Sequence, residues 1–269
     1  LPRGKKGRGK HRKHYNIVIS EENESFHVGE FRFMFLKTMF SSITPTYDSV
    51  NCLLTGTLDK MWRSACAKQC TVRGTIVDLC CGTGALSFNI LKNAAPSAHV
   101  VGVDFSKEML GKAVEKKVRS GHNLNLSLIQ ADAAHLPFRD ESIDRTGISF
   151  AFRNLIYKNP QANACLLEVN RTLRDGGKFV CVETSQPKPY LVRLLYHLYL
   201  KAIVPLIGGL LSRRKNAYRY LGMSATNFPP AEEISRMLLH NGFQNVSLKR
   251  LTLGLVALHK GVKSKLSHN

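Results

Sequence analysis

The sequence predicts an α/β fold with one sheet of seven strands, mostly parallel, that ends in an antiparallel hairpin. Three observations predict it. From position 75 short apolar runs alternate with segments of helical periodicity, a glycine-rich turn follows the first run directly, and two strand-like runs meet closely around Gly254. Parallel neighbours need a helix-length crossover, which puts helices on both faces, whereas a tight link leaves only antiparallel pairing.

The chain of 269 residues is 43% hydrophobic, enough for one sizeable core. It carries 39 Lys and Arg against 19 Asp and Glu. The first 14 residues, "LPRGKKGRGKHRKH", hold seven of the basic residues and no acid, yet the remainder is still basic, 32 against 19. Such a head cannot pack and reads as a disordered arm over 1–27. No apolar stretch follows it as in a secretory signal, and it lacks the Arg- and Ser-rich composition of a transit peptide. The surplus of positive charge allows contact with nucleic acid or an anionic membrane.

After the arm, 28–262 reads as a single domain, with 263–269 as a tail. Within it, 28–72 is helical in pieces, broken at Pro45, and is expected to form a lid over the ligand edge of the sheet. "TIVDLC" (75–80) is the first strand, "ALSFNILKNA" (85–94) a helix, "HVVGVDF" (99–105) a strand, and "SKEMLGKAVEKKV" (106–118) a helix capped by Ser106. "NLSLIQAD" (125–132) and "IDRTGISFAF" (143–152) give the third and fourth strands. "NPQANACLLEVNRTLRDGG" (159–177) predicts a helix closed by Gly176 and Gly177, before the strand "KFVCVETS" (178–185).

Residues 187–224 interrupt the alternation as a cap. Its stretch 191–211 is apolar, but Arg193, His197, Lys201 and Pro205 recur every four residues, which predicts an amphipathic helix rather than a membrane span. "SRRKNAYRYLG" (212–222) follows it. "NFPP" (227–230) reads as a loop, "AEEISRMLLHNG" (231–242) as a helix, and "NVSLKRL" (245–251) and "GLVALHK" (254–260) as the hairpin.

Seven cysteines show neither paired CxxC spacing nor a histidine partner at zinc spacing, so no metal site is predicted. Cys66 with Cys70 and Cys80 with Cys81 read as apolar packing in a reducing cytoplasm.

Ligands of open α/β sheets sit beyond the carboxyl ends of the strands, which is where Gly82 and Gly84 fall. A glycine turn opening a helix lets the backbone approach a nucleotide-containing cofactor. NAD is one candidate, since Asp104 ends the second strand at the right spacing for a ribose. Against it, Ser87 replaces the third glycine and Asp78 would repel a pyrophosphate. S-adenosyl-L-methionine has no phosphate and carries a cationic sulfonium and ammonium, which a carboxylate favours. Asp78, Asp104 and Asp132 recur at the ends of successive strands and would meet its methionine end, its ribose and its adenine, with Ala133 alongside the last. The alternative is that Asp78 caps the turn and the glycines only shape it.

The stretches "MFSSITPTYDSVN", "DLCCGTGALS", "GVDFSKEML", "ADAAHLPF", "ISFAFRNL", "RTLRDGGKFVCVETSQP", "YRYL" and "LTLGLVALHKG" together resemble the ubiquinone/menaquinone biosynthesis C-methyltransferase family over about 33–261. The resemblance implies the Rossmann-like class I methyltransferase fold. It implies S-adenosyl-L-methionine as cofactor and a polyprenylated quinol as acceptor, methylated on a ring carbon. By motif position it carries over Thr83, Asp104, Asp132, Ala133 and Ser149 as cofactor contacts.

In such a reaction a ring carbon becomes nucleophilic when a quinol hydroxyl loses its proton. Arg153 and Asn154, just past the fourth strand, are expected to stabilise the phenolate and to orient the ring. Tyr47 and Asp48 are candidates for closing over the head group. Arg153 as an ion-paired surface residue and Tyr47 as a packed aromatic are the plainer readings. The helix at 191–211 and the basic run 213–219 are expected either to meet an anionic bilayer and guide a prenyl tail or simply to cover the core. The chain departs from the family pattern at Cys81, Ala85, "DKMW" (59–62) and "ETSQP" (183–187). A methyltransferase of another small apolar acceptor is therefore the nearest alternative, and an RNA methyltransferase a distant one with nucleic acid as partner. A benzoquinol and a naphthoquinol both fit as the acceptor ring, and a homodimer is compatible with the sequence. The expected location is the cytoplasm, with peripheral membrane contact.

Overall fold

The computed structural model describes residues 21–120 and 125–264; most of the basic arm and the terminal tail lie outside them. The described residues begin with α1 (Glu21–Ile43), so a helix takes in the last part of the stretch assigned to the arm. A short 3-10 turn at Thr44–Thr46 contains Pro45, and α2 (Tyr47–Leu54) and α3 (Leu58–Cys70) follow. The proline breaks the helical run as its sequence position indicates, because it can neither donate to the ladder nor fit inside it.

Next come β1 (Thr75–Leu79), α4 (Ala85–Asn93), β2 (His99–Asp104), α5 (Lys107–Arg119), β3 (Leu126–Gln130) and β4 (Ile143–Ser149). The Ser106 hydroxyl accepts the Met109 N–H and caps α5. After β4 the chain forms α6 (Phe152–Ile156), α7 (Ala162–Thr172) and β5 (Leu173–Thr184). The helix predicted to run to Gly176 thus stops at Thr172. Leu173 is fully buried and pairs with Ile143 across a register shift, so sheet pairing extends the backbone before the glycines are reached.

The sheet order is β3-β2-β1-β4-β5-β7-β6, with β6 (Phe243–Leu251) and β7 (Val256–Lys263) forming the antiparallel hairpin. Alternation along β5 divides the core. Phe179 and Cys181 face a cluster with Cys165, Leu166 and Val169 of α7 and with Ile234 and Leu238 of α11 (Ala231–His240). Val180 and Val182 face Cys66, Ala67 and Cys70 of α3 and Leu86 and Ile90 of α4. This corrects the extent of the lid: α3 belongs to the sheet's helical layer, because its apolar side packs on the strands, and only α1 and α2 stand over the strand ends.

The insertion completes the cover. α8 (Tyr190–Leu198), a π turn (Tyr199–Ile203) and α9 (Val204–Ser212) make one continuous helix, followed by α10 (Lys215–Thr226). The Val204 N–H bonds back to the Tyr199 carbonyl, a five-residue step immediately before Pro205, which has no N–H to give. Leu200, Val204, Ala217, Tyr218 and Ala225 join Leu36, Met39, Ile43 and Val50 in a third cluster, which seats cap and lid on each other. Gln186 Nε2 donates to the carbonyls of Ala225, Thr226 and Phe228, tying the end of α10 to the end of β5.

Candidate active site

At the carboxyl end of β1 the backbone turns through left-handed conformations at Cys80 (φ 53°) and Gly82 (φ 55°). The Gly82 N–H donates to Asp104 Oδ2 and the Ser106 N–H to Oδ1, both at 2.8 Å, so Asp104 ties the end of β1 to the end of β2. Burial pushes the Asp104 carboxyl up to about 6 despite these bonds. A Cβ on Gly82 would meet nothing within 4 Å, leaving bare backbone beside an open cleft. Gly84 (φ 80°) differs, since a Cβ there would lie 3.0 Å from Phe88 and 3.3 Å from Ala113. Its role is the close turn into α4.

The cleft is lined by Gly82, Thr83, Asp104, Asp132, Ala133 and Ser149, joined by Phe105 and Met109. Six of the eight sequence-predicted cofactor residues therefore share one space. Asp132 Oδ1 accepts the Ala134 N–H at 2.9 Å, which fixes that carboxylate at the cleft wall. Asp78 and Gly84 are not among the lining residues. Asp78 is buried, its Oδ2 accepts the Ser87 N–H and hydroxyl, and burial pushes its carboxyl up to about 7. That is the turn-bracing reading of Asp78, which secures the loop against α4.

Thr83 shows how the lid meets the loop. Its hydroxyl donates to Asp48 Oδ1 at 2.7 Å and accepts from Lys116 Nζ at 2.9 Å, while Lys116 pairs with Asp48 Oδ2 at 2.7 Å. Asp48 is thereby engaged with the glycine turn through α2.

A second cavity of about 520 Å³ lies between α2, α3, the strand ends and the α8 helix, lined mainly by apolar side chains. Phe40, Tyr47, Arg63, Phe150 and Asn154 line both spaces, so the two meet at this wall. Arg153 lines the second cavity and is buried, which removes the surface reading. Its backbone N–H donates to Glu183 Oε2 at 3.0 Å, and its Nη1 lies 3.4 Å from Glu183 Oε1 and 3.3 Å from Thr184 Oγ1. The Arg153 Nε and the Asn154 Oδ1 are buried without a hydrogen-bond partner among the described residues, an arrangement that leaves polar capacity for a ligand. Burial pushes the Tyr47 phenol upward, so it stays a neutral donor.

Sequence reasoning missed Arg63 and singled out its partner Asp59 only as the start of a stretch that departs from the family pattern. They form a buried ion pair one helical turn apart on α3, and the Arg63 guanidinium lies 5.1 Å from the centre of the Phe150 ring. Phe150 itself holds a left-handed backbone (φ 56°), with its N–H donating to the Val182 carbonyl at 2.9 Å. Their only signal was the i, i+4 spacing of opposite charges, from Asp59 at the start of the stretch "DKMW" that departs from the family pattern to Arg63 directly after it.

The ubiE/COQ5 methyltransferase family model matches residues 27–263, nearly the whole described chain. The chain belongs to the ubiE/COQ5 methyltransferase family. The demethylmenaquinone methyltransferase of Staphylococcus aureus is 38% identical over 229 residues, covering 84% of this chain and 92% of that protein. A Methanococcus maripaludis structure described as an S-adenosyl-L-methionine-dependent methyltransferase superposes with a TM-score of 0.59 at 16% identity, over 84% of this chain and 94% of that one. A phosphoethanolamine N-methyltransferase of Haemonchus contortus, solved with S-adenosylhomocysteine, gives 0.54 at 13%, over 76% and 52%. At such identities the structures establish the shared class I fold.

This ubiE/COQ5 family member is a methyltransferase whose cofactor is S-adenosyl-L-methionine. The cleft fits the group. Carboxylates at Asp104 and Asp132 suit hydroxyl and amino donors, and the uncrowded face of Gly82 admits a ligand against the backbone. The loop "NFPP" lies at the start of α11 and lines neither space, so it has no part in the site.

Proposed function

We propose that this protein methylates a ring carbon of a polyprenylated quinol, with a demethylmenaquinol-type naphthoquinol as the foremost acceptor. The observation that carries the reading is the apolar second cavity, which meets the cofactor cleft at Tyr47, Arg63, Phe150 and Asn154. The likeness to a demethylmenaquinone methyltransferase over nearly that protein's full length supports the naphthoquinol. The cysteines, all free thiols, support placement in a reducing cytoplasm.

S-adenosyl-L-methionine, when bound, supplies an electrophilic methyl group. Asp104 and Asp132 hold its ribose and adenine ends, and Thr83 and Ser149 complete the cleft. In the adjoining cavity the quinol loses a hydroxyl proton to water, and the negative charge is delocalised onto the ring carbon that attacks. Arg153, fixed by Glu183 with its Nε uncommitted, stabilises that phenolate, and Asn154 and Tyr47 orient the ring against the cleft. The ring carbon forms the new C–C bond as the S–CH3 bond of the sulfonium breaks, with S-adenosylhomocysteine as the leaving group, and then sheds its own proton to water, which restores the aromatic ring.

Trp62, the only tryptophan of the chain, lines this cavity, and quinones quench indole fluorescence on contact. Titration with a short-chain demethylated naphthoquinone is expected to quench Trp62 at saturation, and a demethylated benzoquinone to do so less tightly. A protein that binds cofactor but shows no saturable quenching by either would contradict the quinol reading.

A further inference from the structure

The helix Tyr190–Ser212 is long and apolar enough to cross a membrane, yet one side of it is committed to the protein. Leu200, Val204, Pro205 and Gly208 are buried, and a Cβ on Gly208 would fall 2.2 Å from the Tyr218 ring, so the helix is seated on α10. The Tyr199 hydroxyl donates to the Leu54 carbonyl and holds it to α2. A helix docked in this way cannot be surrounded by lipid, which leaves its other side to be explained.

That side is a row of exposed apolar residues: Leu191, Leu194, Leu198 (61% exposed), Ile203, Leu206 (63%) and Leu210 (78%). The extra residue of the π turn carries the row from Leu198 to Ile203. Soluble surfaces rarely expose so continuous a stripe. Its charge surroundings say what covers it. From Thr184 to Ala231 the chain has seven Lys and Arg and no Asp or Glu. Arg193, Lys201, Arg213, Arg214, Lys215 and Arg219 are exposed, and among the described residues none of these six is in an ion pair. Leucines flanked by such cations, two on the helix itself and four in the turn and α10 that follow it, are the chemistry of an anionic bilayer surface, where apolar side chains enter the acyl boundary and long cations reach lipid phosphates. Leu195 and Leu253 are both exposed and line the apolar cavity, so its mouth opens on this face.

We propose that the helix Tyr190–Ser212 lies in the plane of an anionic bilayer and that the mouth between Leu195 and Leu253 takes the acceptor's prenyl tail directly from the lipid. The second clause rests on the quinol reading; the first does not. Each basic residue at such a surface is worth roughly fivefold in affinity, and the apolar row supplies the salt-resistant part.

The test is cosedimentation of the full chain with phosphatidylcholine vesicles, with and without phosphatidylglycerol, at low and high salt. The expected result is preferential binding to the anionic vesicles, weakened by about tenfold or more in the double variant Leu198→Glu, Leu206→Glu. The variant Arg213→Gln, Arg214→Gln, Lys215→Gln is expected to lose most of the anionic preference and its salt sensitivity. Neither variant touches the cavity, so both should methylate a short-chain acceptor at the wild-type rate while the leucine variant loses turnover on a long-chain acceptor held in vesicles. Undiminished vesicle binding by the leucine variant would overturn the proposal, and so would a stable dimer that this variant dissociates without any vesicle binding by wild type. A protein that docks but methylates neither acceptor would leave the docking face standing and refute the quinol reading instead.

Discussion

Asp104 joins two demands in one carboxylate, holding the Gly82 and Ser106 N–H groups and facing the cofactor cleft from a buried position that pushes it up to about 6. Its folded value lies above the ordinary carboxyl value near 4, so ionisation works against folding, and this contribution costs the empty protein stability as pH rises from about 4 through 6. Cofactor binding needs the ionised acceptor and has the opposite sign. Affinity is expected to fall as pH drops through about 6, and Asp104→Asn to weaken binding by about tenfold while flattening that pH dependence, as measured by calorimetry across pH 5 to 8. Arg153 makes a separable prediction because it lines the acceptor cavity and not the cleft. Arg153→Lys keeps a charge beside Glu183 but loses the planar fork, so kcat is expected to drop by about a hundredfold with cofactor affinity within about twofold. Unchanged turnover would remove Arg153 from the chemistry. These residues were legible because strand-end carboxylates and a glycine turn are local patterns. Arg63 was not, since its importance arises only when α3 brings it over Phe150 at the meeting of the two spaces.

Among the elements, the cap is held by close backbone contact rather than by long side chains. A Cβ on Gly222 of α10 would lie 2.1 Å from the Leu200 carbonyl oxygen in the π turn, where neither partner can yield as a flexible side chain would. Gly222→Ala is therefore expected to cost about 2 kcal/mol in thermal or urea unfolding, against the slight gain a glycine-to-alanine change usually gives in a helix. An increase in stability would mean that α10 does not pack this closely. The pattern of strands and helices from β1 to β5 could be read directly, because apolar period and turn residues agree there. The end of α7 could not, because Leu173 is drawn into pairing with Ile143 by the sheet, a tertiary contact that overrides the glycine stop signal three residues on. The π turn had Pro205 as its only herald.

For the molecule as a whole, three layers converge on one edge. The sheet presents the glycine turn and the carboxylates, α2 closes over them through the Thr83, Asp48 and Lys116 contacts with Phe33 and Leu36 of α1 lining the same cleft, and the cap encloses an apolar space against α3. The sequence carried the motifs of all three, while their meeting at Tyr47, Arg63, Phe150 and Asn154 brings together residues 87 to 107 positions apart. That meeting is what makes one cleft and one cavity into a site for methyl transfer to an apolar ring. The most direct test is transfer from labelled S-adenosyl-L-methionine, under reducing conditions, to a short-chain demethylmenaquinol and in parallel to a demethylated benzoquinol. Labelled product methylated on the ring carbon of the naphthoquinol is the predicted result; cofactor binding with no methylation of either ring would contradict it.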